Sequence, residues 1–181
     1  MGAAWRTAAR QNYPAECEDG VNRQIQAELY ASYSYLAMAQ YFDRDDVGLQ
    51  GYQDYFQKMS LEEFEHAQDF VRYQNRRGGR VKLWDIKASE KMEWDGPLDA
   101  MKDALELEKS VNQKLLNLHF VASEKGDAQL CDFLEANYLT EQVEAIKSIS
   151  DHMARLRQAG PGLGEVWMDH RTDSRPDNGG H

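Results

Sequence analysis

Cysteine is scarce in this chain of 181 residues, which has only Cys17 and Cys131. Two cysteines are far too few for a disulfide framework, so a reducing, cytoplasmic setting is expected. No apolar run approaches the roughly 20 residues needed to span a bilayer, and no Asn-x-Ser/Thr acceptor is present. The first residues, Met1 to Pro14, show no basic region followed by an apolar run and a small-residue cleavage site. Positive charge is also short: Lys plus Arg number 21 against 31 Asp plus Glu, for a net charge of −10. That balance argues against nucleic acid or an anionic membrane as partner and suits attraction of cations. The length accommodates one good core and is short for two, so a single domain is expected.

What is present is helical periodicity, in two halves that resemble one another, each reading as helix, short connection, helix. The first helix is expected from Pro14 to about Asp43 with a stripe at Val21, Ile25, Ser32, Ala39 and Phe42, and the second from about Leu49 to Arg77 with Tyr52, Phe56, Met59, Phe70 and Tyr73. Gly78 and Gly79 stop the second helix. The segment from Arg80 to Gly96 lacks helical periodicity and reads as an extended crossover, long enough to set the third helix parallel to the second. Pro97 opens the third helix, striped by Leu98, Met101, Leu105, Asn112, Leu115 and Ala122. After a turn at Gly126-Asp127, the fourth carries Leu134, Tyr138, Ala145, Ile149, His152 and Leu156. Gly160-Pro-Gly162 ends it, a short helix follows over Leu163 to His170, and Thr172 to His181 reads as a polar tail. The expected fold is all-α: an arm at 1–13, a four-helix bundle with a long crossover and a short fifth helix at 14–171, and a tail at 172–181.

Each apolar stripe carries polar residues at the same depth: Glu28 and Tyr35 on the first helix, Glu63 and His66 on the second, Glu108 on the third and Gln142 on the fourth. Glu28 and Glu63 are 35 residues apart, and Glu108 and Gln142 are 34 apart, as an internal duplication would leave them. A buried carboxylate is costly unless compensated, and cores usually pair it with Lys or Arg. None of the four stripes contains either. The compensating cation is therefore expected to be a metal, with Glu63-Phe-Glu-His66 offering two ligands from one helical face. A single Glu on each of two helices, with Glu-x-x-His motifs on the other two, is the established layout of ferritin-like di-iron bundles. A full duplication would put a second Glu-x-x-His on the fourth helix, but that slot reads Gln142-Val-Glu-Ala145. So few strong ligands suit iron that passes through as substrate better than a permanent cofactor.

Six segments together resemble heavy-chain-type ferritin of animals: Arg23-Gln-Ile-Gln-Ala-Glu-Leu-Tyr-Ala-Ser-Tyr-Ser-Tyr35, Tyr41-Phe-Asp-Arg-Asp-Asp-Val47, Glu62-Glu-Phe-Glu-His-Ala67, Gln74-Asn-Arg-Arg-Gly-Gly-Arg80, Leu107-Glu-Lys-Ser-Val-Asn-Gln113 and Leu130-Cys-Asp-Phe-Leu-Glu135. The resemblance covers roughly residues 10 to 170. It implies a hollow shell of twenty-four subunits, homopolymeric or mixed with other ferritin subunits, that oxidises Fe(II) with dioxygen and stores ferric mineral. It assigns one iron to Glu28 and His66 and a second to Glu108, with Glu63 bridging, Gln142 near the oxygen-binding space and Tyr35 hydrogen-bonded behind the ligands. Glu62 resembles an alternative or transit ligand. His119, Cys131, Asp132 and Glu135 match the lining of a three-fold channel, and Glu62 and Glu65 match cavity-side nucleation positions. Trp167 and Arg171 stand where a four-fold pore usually has Leu and His, and the connection after Gly160 is shorter than in vertebrate heavy chains. Two rivals remain open at this point: a di-iron oxygenase or peroxidase of the same bundle class, and a non-catalytic cage subunit like a light chain.

Overall fold

The computed structural model describes residues 7–173. Helix α1 spans Ala15–Phe42, α2 Gln50–Arg76, α3 Pro97–Glu124, α4 Ala128–Leu134, α5 Thr140–Ala159 and α6 Leu163–Asp173. Between α4 and α5, residues Glu135–Leu139 form a wide π-helical turn, so α4, this turn and α5 together make the fourth long helix. Among the described residues there is no strand, and no helix is long and apolar enough to cross a membrane. The architecture is the expected all-helical bundle of four long helices with a short one at the C-terminal end. Helix α6 continues to Asp173, beyond the His170 expected from sequence. Trp167 and Arg171 lie on α6, but their side chains fall outside the described set.

The local reasons for these boundaries are visible in the chain. Pro97 occupies the first turn of α3, where its missing N–H costs nothing and its fixed φ fits the helix. Asp127 caps α4, its side chain accepting from the Leu130 N–H. Gly78 ends α2 at φ +72, and a Cβ there would lie 2.3 Å from Thr7 Oγ1, so glycine is needed both for the turn and for the N-terminal arm packed on it. The arm is held further by the Thr7 hydroxyl donating to Gly78 O and by buried Tyr13 donating to Gln74 Oε1. The crossover is extended and mostly exposed, anchored where Asn22 donates to Arg80 O and Gln26 donates to Asp85 O.

The fourth helix departs from the simple reading. Leu130, Leu134, Tyr138 and Gln142 are all buried, at steps of four residues. In a regular α-helix each such step drifts by about 40° around the axis, and the fourth residue would have left the core. The π turn absorbs a residue and keeps all four on one face. Helix α6 docks onto the start of α2: Asp169 Oδ1 accepts from the Tyr52 N–H, a cap that α2 does not supply for itself. Gly51 makes room for this contact, since a Cβ there would lie 2.1 Å from the Asp169 carbonyl oxygen.

The core divides into two apolar clusters. One gathers Val21, Ile25, Ala31, Phe70, Val111, Leu115, Leu134 and Tyr138; the other gathers Tyr35, Phe42, Tyr52, Phe56, Met101, Ala104 and Ile149. Burying each large side chain contributes about 1.5–3 kcal/mol. On α2, α3 and the fourth helix the residues Glu63, Glu108 and Gln142 lie between the members of one cluster and those of the other, and Glu28 sits next to Ala31 at the edge of the first. The polar layer is thus sandwiched between two dry ones.

Candidate metal centre

Glu28, Glu63, Glu108 and Gln142 are buried at 1%, 3%, 1% and 6% exposure, and His66 is partly buried. Among the described residues no Lys or Arg is buried with them. Glu28, Glu63 and His66 each present one ligand atom, and these three atoms lie within 4.8 Å of one another. Taking a charge out of water costs several kcal/mol, whereas a hydrogen bond to it returns about 1.5–3 kcal/mol. Glu28 receives one such bond, from Gln24 Nε2 at 2.7 Å, and its Oε2 has no partner. The Oε2 of Glu63 is also without a hydrogen bond, and His66 Nδ1 lies 3.4 Å from it in an ion-pair contact. Two buried carboxylate oxygens facing no donor, beside an imidazole, are a donor set in want of a divalent cation, and their residue types fit iron.

The protonation pattern carries the same message. Burial pushes Glu28 well above the usual carboxylate range, with the neighbouring Glu63 charge adding to the shift. Burial also pushes Glu108 up, to about 7, with Glu63 again adding and Tyr35 and Gln142 opposing. For His66, burial disfavours the charged ring, but Glu141 and Glu63 outweigh it and hold the pKa up at about 11. Without a metal, protons fill the role of the missing cation.

Glu108 stands apart from the three-residue group. Its Oε1 accepts a short hydrogen bond from the Tyr35 hydroxyl, and its Oε2 accepts from Gln142 Nε2 at 2.5 Å. The same Gln142 amide bonds the Glu108 backbone oxygen at 2.9 Å, pinning the fourth helix to α3. Tyr35 stacks on Phe56, and burial raises its hydroxyl pKa well above the ordinary value, so it acts here as a donor.

Two contributors escape the periodic reading. Glu141 Oε1 lies 3.6 Å from His66 Nε2, and the imidazole beside it lowers its pKa. Because Glu141 is exposed, a stripe of buried positions cannot reveal it; its proximity follows from the π turn one step earlier. The only signal for Gln24 is that it stands one helical turn before Glu28. Glu62 is partly buried, 3.8 Å from Lys58, and burial raises its pKa with Glu141 adding; Glu65 is exposed on the same helix.

At the other end of the bundle, His119 Nε2 of α3 lies 2.6 Å from Glu135 Oε1, and the Cys131 thiol sits 3.9 Å from the His119 backbone oxygen. Asp132, one residue beyond Cys131 on α4, is exposed. His119, Cys131 and Glu135 are thus brought together where α3, α4 and the π turn meet.

Comparison with known proteins agrees with this layout. The ferritin-like domain model of the ferritin family matches residues 18–159. A soma ferritin of Lymnaea stagnalis is 56% identical over 164 residues, which is 91% of this chain and 94% of that protein. The family match takes in every residue of the buried polar layer, and the chain belongs to the ferritin family.

Proposed function

We propose that this iron-storage ferritin subunit is ferroxidase-competent and of the heavy-chain type, oxidising Fe(II) with dioxygen inside its own bundle and passing Fe(III) to a mineral within a twenty-four-subunit shell. The observation that carries the reading is the group of buried Glu28 and Glu63 with partly buried His66, in which two carboxylate oxygens have no hydrogen bond and no Lys or Arg is buried beside them among the described residues. His66 and Glu28 hold one Fe(II), Glu108 a second, and Glu63 bridges. Two ions held side by side each give one electron to the same dioxygen, and carboxylates favour the harder ferric product. Tyr35 and Gln142 orient Glu108, and Gln142 borders the space where oxygen enters. Iron is substrate here: only four strong ligands serve two ions, so the product is released rather than retained.

Around this centre, Glu62, with Glu141 near it, serves as a transit ligand, and Glu62 and Glu65 as nucleation positions toward the cavity. The patch of His119, Cys131, Asp132 and Glu135, repeated by three subunits, draws Fe(II) inward. The four-fold pore is bordered by Trp167 and Arg171. The shell is a homo-oligomer or is mixed with other ferritin subunits, and it works in the cytoplasm, where Cys17 and Cys131 stay as thiols.

The test is an anaerobic Fe(II) titration followed by a stopped-flow oxygen pulse, on the parent and on a Glu28→Ala, His66→Ala double variant, with shell size read by exclusion chromatography. The parent should elute as a large shell and show rapid oxidation whose capacity regenerates as iron moves on. Equal rates in the parent and the double variant would exclude the bundle site as the catalyst, and a monomeric elution profile would exclude the shell.

A further inference from the structure

We propose that Gln24 is a positioning residue for metal binding: its amide fixes Glu28 as a one-oxygen terminal ligand. The inference deepens the reading of the bundle site given above and rests on it. Gln24 is 1% exposed and lies one turn before Glu28 on α1. Its Nε2 donates to Glu28 Oε1 at 2.7 Å, the one described hydrogen bond of its side chain. A glutamine buried only to hold helices together would bond backbone or a residue of another helix, as Gln74 does with Glu18 O and Tyr13. Gln24 instead spends its amide on a residue of its own helix that is itself a candidate ligand.

The consequence is chemical. With Oε1 engaged, Glu28 has Oε2, which has no donor, left for a metal. A free carboxylate would swing between one-oxygen and chelating binding; a braced one keeps the first. Glu108 is braced more fully, by the amide of Gln142 on Oε2 and the Tyr35 hydroxyl on Oε1, from the opposite side of the layer. Glu63, between them, accepts no hydrogen bond on Oε2. Two braced end ligands and one unbraced central ligand are the arrangement in which only the middle carboxylate is free to reach either of two ions. Groups behind a ligand of this kind commonly change metal affinity by about 10–100-fold when removed.

The probe is Co(II), which stays divalent and reports coordination number through its visible absorption. It is added to metal-free assembled shells, and the bundle signal is defined as the absorbance that a Glu63→Ala variant lacks. Gln24→Leu should weaken that binding about tenfold and change the band shape as Glu28 becomes free to chelate. Gln24→Asn, whose amide falls one methylene short, should behave like Leu, and it supplies the same measurement if the Leu variant fails to assemble. In a Glu28→Ala background, Gln24→Leu should produce no further loss, because the effect runs through that ligand. Parent-like affinity and spectrum in the assembled Gln24 variants would overturn the proposal, as would an equal loss in the Glu28→Ala background. If the parent shows no Co(II) signal dependent on Glu63, the bundle-site reading falls along with the proposal, whereas a normal parent with unaffected variants sinks the proposal alone.

Discussion

The two halves of the bundle are built to the same plan and finished differently. In the α1–α2 half, Glu28, Glu63 and His66 approach within 4.8 Å and leave two carboxylate oxygens without donors. In the half made by α3 and the fourth helix, Glu108 has both oxygens engaged, by Tyr35 and Gln142, and the position three residues beyond Gln142 is Ala145. One half is thus an open donor set, and the other is a closed hydrogen-bond network with a single carboxylate in it. The lesson is that a buried polar layer is stabilised either by a cation or by its own donors, and this chain does one on each side.

The comparison can be broken most severely by emptying the open half. Glu63→Ala removes the carboxylate proposed to bridge two ions, and Fe(II) oxidation in the oxygen-pulse experiment should fall at least by the roughly 10–100-fold that loss of even a group behind a metal ligand costs. A smaller but opposite change comes from opening the closed half. Gln142→Glu with Ala145→His would restore a second Glu-x-x-His, and the protein should then retain metal through dialysis against a chelator at least about tenfold longer, with slower turnover of iron. If metal is lost as quickly as from the parent, the proposal that the asymmetry makes iron transient fails.

A milder probe leaves all ligands in place and alters the closed network alone. Tyr35→Phe deletes the donor to Glu108 Oε1, which should cost about 1.5–3 kcal/mol of stability, measured by denaturant unfolding of metal-free protein. Metal loading should narrow the difference between variant and parent. The smallest effect is in pH. Burial raises Glu108 to about 7 from an ordinary 4.5. A carboxyl whose folded pKa is raised holds its proton in the native state while the unfolded chain has released it. Metal-free protein should therefore lose stability as pH rises from 4.5 to about 7, with no further loss from this group above that. Metal binding displaces that proton, so Zn(II) affinity should rise over the same interval. A flat Zn(II) affinity across that interval would place Glu108 outside the metal site.

Much of this layout is legible in the chain. The spacing of Glu28, Glu63, Glu108 and Gln142 places them at one depth because helical periodicity is strong where a whole face is buried. The absence of Lys and Arg from the stripes marks the layer as lacking its counter-ion. Glu141 is not legible, since it is exposed and reaches His66 only because of where the wide turn places it. Gln24 does not stand out because an amide on a helix face carries no chemistry until its partner is known. The π turn itself leaves a trace that a regular-helix reading passes over: four buried positions at steps of four, where about 3.6 is normal.

That turn has a consequence for how the molecule tolerates change. It works as a phase adjuster, since it absorbs one residue and the helix after it would be rotated by about 100° for each residue added beyond that one. Inserting one further residue between Glu135 and Leu139 would alter no candidate ligand of the bundle. It would nonetheless swing Gln142 off the buried layer and carry Glu141 away from His66, uncoupling Glu108 and His66 from the fourth helix at once. The chemistry of the centre is thereby written partly in the length of a segment that takes no part in it.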